Sequence, residues 1–311
     1  MVPEVPPNQP KKFRPPKFGG LRHLERLLGL RKDGFIPTDA IFVSLDLEVG
    51  SDRRRLHLLT ERPVVNQIGF ASLDTRVIRP SAASGGLRGL ISVQMFVVGK
   101  QPRSKKAKKS CAFAQARQIR PTKVRSTIIR NLRVRDLSAG STDGGLRNIV
   151  LVGHSIGGDL KILRLLGIDI SSAAPILTII DTHEISRYIL APFRPDRRPE
   201  PGQSFSLAGV LAELGCRPPM SEFHNAGNDA VYSLYAMLLL VIKEGVARQP
   251  KRGIDELKSL AVITNMMLET LGSVVPNRVS EADQADLKPT VTLGAGLGEL
   301  ASRAYLGAWV H

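Results

Sequence analysis

Cysteine is scarce in this chain, with only Cys111 and Cys216 among 311 residues. Two thiols cannot build the framework that staples small secreted domains, and they offer no paired metal-ligand spacing, so both read as reduced, buried thiols. Aromatic residues are few as well, at 5%. The amino-terminal stretch MVPEVPPNQPKKFRPPKFGG has prolines and charges where a secretory signal needs an apolar core. The most apolar run, AVYSLYAMLLLVI at 230–242, is too short for a bilayer of roughly 30 Å hydrocarbon thickness. These absences set the expectation of an intracellular soluble protein, nuclear or cytoplasmic.

Negative charge is also short. Lys and Arg number 44 against 28 Asp and Glu, a formal net charge of +16. Such an excess attracts polyanions, which makes nucleic acid the expected partner. From Lys100 to Arg135 there are thirteen basic residues and no acidic one. This block reads as a phosphate-binding surface, with a solvated insertion or a nuclear address in PRSKKAKK as the alternatives. Phe113 is its single aromatic residue, so base stacking is not indicated there. Arg53, Arg54 and Arg55 add a smaller basic group.

What is present is a pattern of strands followed by strands alternating with helices. Residues 1–20 read as a flexible basic, Pro-rich arm, and LRHLERLLGL at 21–30 as a short helix. Strands are expected at 40–50, 64–75, 89–98, 148–154 and 176–181, and helices in GGDLKILRLLG, closed by Gly167, and in SFSLAGVLAELG, capped by Ser204 or Ser206. A long apolar helix runs to Gly245 and another covers 255–271, with a Gly-rich tail beyond. This order describes an α/β sandwich around a mixed sheet, with a main domain over 21–245, a basic insertion at about 99–140 and an extension over 246–311.

The stretch NIVLVGHSIGGDLKIL at 148–163 admits two chemistries. Gly153-His154-Ser155-Ile156-Gly157 fits a nucleophile elbow, with Ser155 served by Asp181 and His224. However, Asp181 ends the very next strand, no HGGG-like loop upstream supplies an oxyanion hole, and Asp46, Glu48 and Asp229 are left without purpose. Ser155 then reads as a small residue or a helix cap.

The other chemistry uses carboxylates. Asp46 and Glu48 are two apart on a strand, so both side chains leave one face, and a divalent cation such as Mg²⁺ is the natural neutraliser of their repulsion. Asp159 opens a helix at the rim of the same sheet, and Asp229 stands near the start of the long helix. Taken singly, each reads equally as a solvated acid or a helix-start residue. Together, four carboxylates can hold two ions about 3.5–4 Å apart for phosphodiester hydrolysis. His224, five positions before Asp229, has the near-neutral basicity needed to deprotonate an attacking water.

SLDLE at 44–48, LVGHSIGGDLKIL at 151–163 and HNAGNDAVYSLYAM at 224–237 resemble the three motifs of the DEDDh 3′→5′ exonucleases. NQIGFASLDT and IIDTHEISRYI resemble the usual second strand and the segment before the third motif. More narrowly, the combination is similar to a fungal exonuclease-like family that includes an mRNA-export accessory factor and a relative acting in RNA silencing. The resemblance covers about 40–245 and implies an RNase H-like fold. It also implies that Asp46, Glu48, Asp159 and Asp229 bind two Mg²⁺ or Mn²⁺ ions while His224 acts as general base. The implied reaction removes nucleoside monophosphates from the 3′ end of single-stranded nucleic acid, RNA ahead of DNA, with the Leu47 or Val49 amide meeting the last nucleotide. RNA-processing or silencing proteins are the implied partners. Two departures stand out: serine and glycines between His154 and Asp159, where many relatives have Asn and an aromatic residue, and the basic insertion. They leave a catalytically weak, RNA-binding adaptor as the alternative.

Overall fold

Alternation explains the central strand. In AIFVSLDLEV the odd-numbered Ile41, Val43, Leu45 and Leu47 are buried in one apolar cluster, whereas Ala40 and Phe42 are buried in a second cluster across the sheet. The computed structural model describes residues 16–31, 39–50, 63–78, 90–99, 110–136, 145–190, 205–247 and 254–272. Its strands are β1 (Lys17–Gly19), β2 (Ala40–Val49), β3 (Val65–Asp74), β4 (Ser92–Val98), β5 (Ala116–Ile119), β6 (Asn148–Gly153) and β7 (Ile176–Asp181). They form one sheet in the order β1-β7-β6-β2-β3-β4-β5. β3 is antiparallel to β2 and β4, and every other pairing is parallel.

Helices cover both faces: α1 (Leu21–Leu27), α2 (Val124–Leu132), α3 (Gly157–Leu165), α4 (Thr182–Leu190), α5 (Leu207–Glu213), α6 (Ala226–Ala247) and α7 (Ile254–Gly272). Leu132 of α2 and Leu163 of α3 pack with the odd-numbered β2 residues, while α1, α4, α5, α6 and α7 contribute to the opposite cluster. α6 is long and apolar enough to cross a membrane by length and composition, but 78% of its most apolar window is buried inside the protein. It is the core helix, and fully covered leucines such as Leu234 and Leu240 each contribute roughly 1.5–3 kcal/mol through burial. Ser206 caps α5 by accepting the Gly209 amide, and Gly167 ends α3 with φ +70°.

Two expectations change. Lys17–Gly19, placed in the flexible arm, form an edge strand paired with β7, and Thr178 donates to the Lys17 carbonyl at 2.8 Å. The basic block is not a simple insertion, because β5 and α2 lie within it and belong to the sandwich. Its charges obscured the apolar Val124, Ile128 and Leu132, spaced by four, that bury the inner face of α2. A helix also follows β7 at once, over residues to which the sequence pattern assigned no element. Residues 1–15, Arg53–Arg55, 100–109 and the tail beyond 272 lie outside the described residues.

Candidate active site

The even-numbered residues of β2 face α6, and beyond Phe42 that face carries Asp46 and Glu48. Opposite them on β3 stand Gly69, paired with Asp46, and Gln67, paired with Glu48. A methyl group on Gly69 would lie 1.8 Å from the Ala226 carbonyl oxygen, so glycine is what lets the start of α6 descend onto the sheet at this point. Gln67 Oε1 accepts the Ala226 amide at 3.1 Å, and Asn228 Oδ1 accepts the Ala112 amide at 2.8 Å. These bonds pin the first turn, and the turn carries Asp229, which is 8% exposed.

His224 precedes that turn with φ +59°, a left-handed conformation unusual for a side chain larger than glycine. It is 78% exposed, and its Nδ1 lies 3.9 Å from Glu48 Oε1. Ligand atoms of Glu48, His224 and Asp229 all fall within 4.8 Å of one another.

Asp159 arrives from the other side. Pairing of β2 with β6 stops at Ser44–Val152, and past that point the Leu47 amide donates to Asp159 Oδ1 at 2.9 Å. Of the two amides expected to meet a terminal nucleotide, that of Leu47 is therefore used to hold a carboxylate. Burial, with the charges of Glu48 and Asp181 added, pushes the Asp159 carboxyl up to about 7, against the opposing pull of the Leu47 amide. The turn that delivers Asp159 is tight: Gly153 leaves no space for a methyl group beside Ile156, and Ser155 sits at φ +56°.

The Ser155 amide donates to Asp181 Oδ1 at 2.9 Å, and the same oxygen takes the His183 amide at 3.0 Å. Asp181 is thus occupied with backbone, and burial raises its carboxyl above the usual range. His224 faces Glu48, and the His154 ring spans Thr182 Oγ1 and the Phe205 carbonyl at 2.9 and 2.8 Å. No serine triad is assembled from Ser155, Asp181 and His224. Ser155 is not a helix cap either, since Ile156 occupies that position without a side-chain bond.

Of the five residues expected, the structure gathers Glu48, His224 and Asp229 and sets Asp159 against the Leu47 backbone. Asp46 stands two positions before Glu48 on the same face, level with Gly69. Gln67, Gly69, Asn228 and Asp181 were not foreseen as site supports. The only available signal for the first two was β3 alternation, which places Gln67 and Gly69 on the face of Glu48 and Asp46. Both cysteines are free thiols as expected; Cys216 is buried, which pushes its thiol up to about 12, whereas Cys111 is only half-buried, against the expectation of burial for both.

A mixed sheet flanked by helices, with Glu48 of its central strand meeting His224 and Asp229 at the start of α6, defines an α/β protein with a metal-ligand type of site. The family profile described as DNA polymerase III subunit epsilon-like, C-terminal domain, of the DEDDh group, matches residues 41–240, and the chain belongs to that family. Its fold is the RNase H-like fold of the DEDDh exonucleases, a family that uses divalent metals. No curated protein matches the chain. Among solved structures, it is similar to the Saccharomyces cerevisiae apo Pan2 pseudoubiquitin hydrolase-RNA exonuclease module in complex with AAGGAA RNA. The likeness has 15% identity and a TM-score of 0.36, covers 86% of this chain and spans 35% of the length of that one.

Proposed function

We propose that this protein is a metal-dependent 3′→5′ exonuclease that trims single-stranded nucleic acid, RNA in preference to DNA, and releases nucleoside monophosphates. The observation that carries this reading is the convergence of Glu48, His224 and Asp229 within 4.8 Å. A donor set of carboxylate oxygens is suited to hard divalent cations. Asp46, Glu48, Asp159 and Asp229 would hold Mg²⁺ or Mn²⁺, two ions in the full arrangement, and bound metal supplies Lewis acidity toward the phosphodiester.

The remaining chemistry belongs to the chain. His224 is the one member of the group open to solvent, so its ring can reach an attacking water and accept its proton. Glu48, 3.9 Å away, faces the imidazole and stabilises the cation formed by that transfer. The left-handed backbone at His224 holds the ring over the acids instead of letting it continue into α6. Arg117, Arg120, Lys123 and Arg125 are exposed and supply salt-sensitive attraction for the phosphate backbone.

The test uses 3′-labelled and 5′-labelled single-stranded RNA and DNA with Mg²⁺, Mn²⁺ or EDTA, run beside His224→Ala. Metal-dependent shortening from the 3′ end, lost in the variant, is the expected result. Tight binding without shortening in either metal would overturn the enzymatic reading in favour of an RNA-binding adaptor.

A further inference from the structure

What places His224 over the acids is its backbone. Its ring is 78% exposed, so packing does not fix it, and its φ of +59° is strained for a residue with a Cβ. Such a conformation persists only where the chain on both sides of it is held. On the carboxyl side the start of α6 does this: Asn225 Oδ1 accepts the Asn228 amide at 3.2 Å, and the Asn225 carbonyl accepts the Asp229 amide at 2.9 Å. On the amino side the approach is largely exposed from Arg217 to Ser221.

Glu222 is where that approach is gripped. Asn228 and Tyr232 stand four apart on α6 and so share one face. Asn228 Nδ2 donates to the Glu222 carbonyl at 2.9 Å, and the Tyr232 hydroxyl donates to the Glu222 carboxylate. Phe223 is buried, with its ring centroid 5.3 Å from that of Tyr232. Main chain, side chain and the following ring are therefore all held immediately before His224. The same two residues fasten a second segment, since the Ala112 amide donates to Asn228 Oδ1 at 2.8 Å and Phe113 meets the Tyr232 ring edge-on at 5.5 Å.

The chemistry of the pair exceeds what packing requires. Tyr232 is 2% exposed, and burial, with Glu222 adding to it, raises its hydroxyl above the usual range and keeps it a donor. A carboxylate that accepts from such a hydroxyl makes a charge-assisted bond, stronger than a neutral one. Phenylalanine at 232 would fill the same space without it. Resting on the nuclease reading, we propose that Asn228 and Tyr232 form a clasp on Glu222 that keeps His224 in its left-handed conformation over Glu48, making Tyr232 and Glu222 positioning residues for the proton transfer. Both act through His224. Once the clasp is cut, the half-buried Glu222 turns to water, the segment gains freedom and the imidazole leaves the acids.

The experiment measures kcat and KM for 3′ trimming by the full chain, comparing wild type with Tyr232→Phe, Glu222→Ala and Glu222→Gln, each also in the His224→Ala background. Tyr232→Phe and Glu222→Ala are expected to lower kcat about tenfold, within the roughly hundredfold cost of an ångström misplacement, while KM and strand affinity in EDTA stay the same. Glu222→Gln, whose amide oxygen still accepts the hydroxyl, recovers most of the rate lost in Glu222→Ala. In the His224→Ala background none of the substitutions costs anything further, because the clasp works only through that ring. Hydrogen exchange at the Glu222 amide, which bonds the Pro219 carbonyl at 2.9 Å, quickens in Tyr232→Phe.

Unchanged kcat in both Tyr232→Phe and Glu222→Ala, or a loss that persists in full without His224, would overturn the positioning role. Either result alongside metal-dependent shortening by wild type leaves the exonuclease standing without the clasp. In a protein that shortens nothing, exchange decides: quickened exchange at Glu222 keeps the clasp and removes the hydrolysis, and unchanged exchange removes both.

Discussion

At the scale of single residues, the turn from β6 into α3 shows how much can hang on a backbone conformation. Ser155 adopts φ +56° with its side chain exposed, and its amide is held by Asp181. A left-handed residue with a Cβ is strained, and Asn or Gly fits better than Ser. Ser155→Gly is therefore expected to raise stability by about 0.5–1 kcal/mol while leaving metal-dependent nuclease activity intact. Urea unfolding and a trimming assay check the two halves, and abolished activity in a folded variant would restore the serine to the chemistry. Neighbouring His154 behaves differently. Burial, with His183 adding to it, lowers its pKa to about 4, and its Nε2–H donates to the Phe205 carbonyl. A histidine whose folded pKa lies below its unfolded value of about 6.5 gives stability that is complete above pH 6.5 and is lost as pH falls toward 4. The loss is on the order of 2–3 kcal/mol. Denaturant midpoints measured from pH 7 to 4.5 should fall steeply in wild type and less in His154→Gln.

At the scale of elements, the site depends on the start of α6 lying against β3. A methyl group on Gly69 would collide with the Ala226 carbonyl, which is backbone and cannot rotate away. Gly69→Ala is expected to lift the turn bearing His224 and Asp229, lowering the catalytic rate at least tenfold while the rest of the helix keeps its core contacts. Circular dichroism and thermal melting separate this from unfolding. An active Gly69→Ala variant would show that the close approach has no part in placing the acids. The elements themselves were largely legible in the sequence. β2, β3, β4, β6 and β7 carry apolar runs or alternation, and α3 and α5 carry their own stop or cap. β1 was not legible, because three residues held by pairing with β7 have no pattern of their own. β5 was hidden because Ala116, Arg117 and Gln118 are exposed at a sheet edge, so burial imposed no apolar signature. The acids were legible as residue types, but their convergence on Glu48 and Asp229 depends on Gly69 and Gln67, which meet them only through tertiary packing.

At the scale of the whole molecule, the two ends of the sheet divide the work. β1, β2, β4, β5, β6 and β7 all run in one direction, so Gly19, Glu48, Ile119, Gly153 and Asp181 emerge at one rim. The acidic cluster and the exposed Arg120 and Lys123 that follow β5 belong to that rim, where open α/β sheets bind ligands. The opposite end is closed by ion pairs: Arg147, 3% exposed, bonds Asp74 and Asp39, while Arg76 bonds Asp74 and Asp136. Basic side chains there are matched by acids, so the excess charge is left to act elsewhere. If Arg120, Lys123 and Arg125 each meet one phosphate of a single strand, replacing all three with alanine lowers the slope of log affinity against log salt by about 2. The same variant should hydrolyse a dinucleotide at the wild-type rate, because those side chains lie away from the acids. Asp46→Ala should do the reverse, keeping the salt slope and losing hydrolysis at least a hundredfold. A salt titration of binding in EDTA, paired with single-turnover cleavage in Mg²⁺, measures both variants on the same footing. Should Asp46→Ala lose affinity and hydrolysis together while remaining folded, strand capture and bond cleavage would have to share the carboxylates, and the division of labour along the rim would fail.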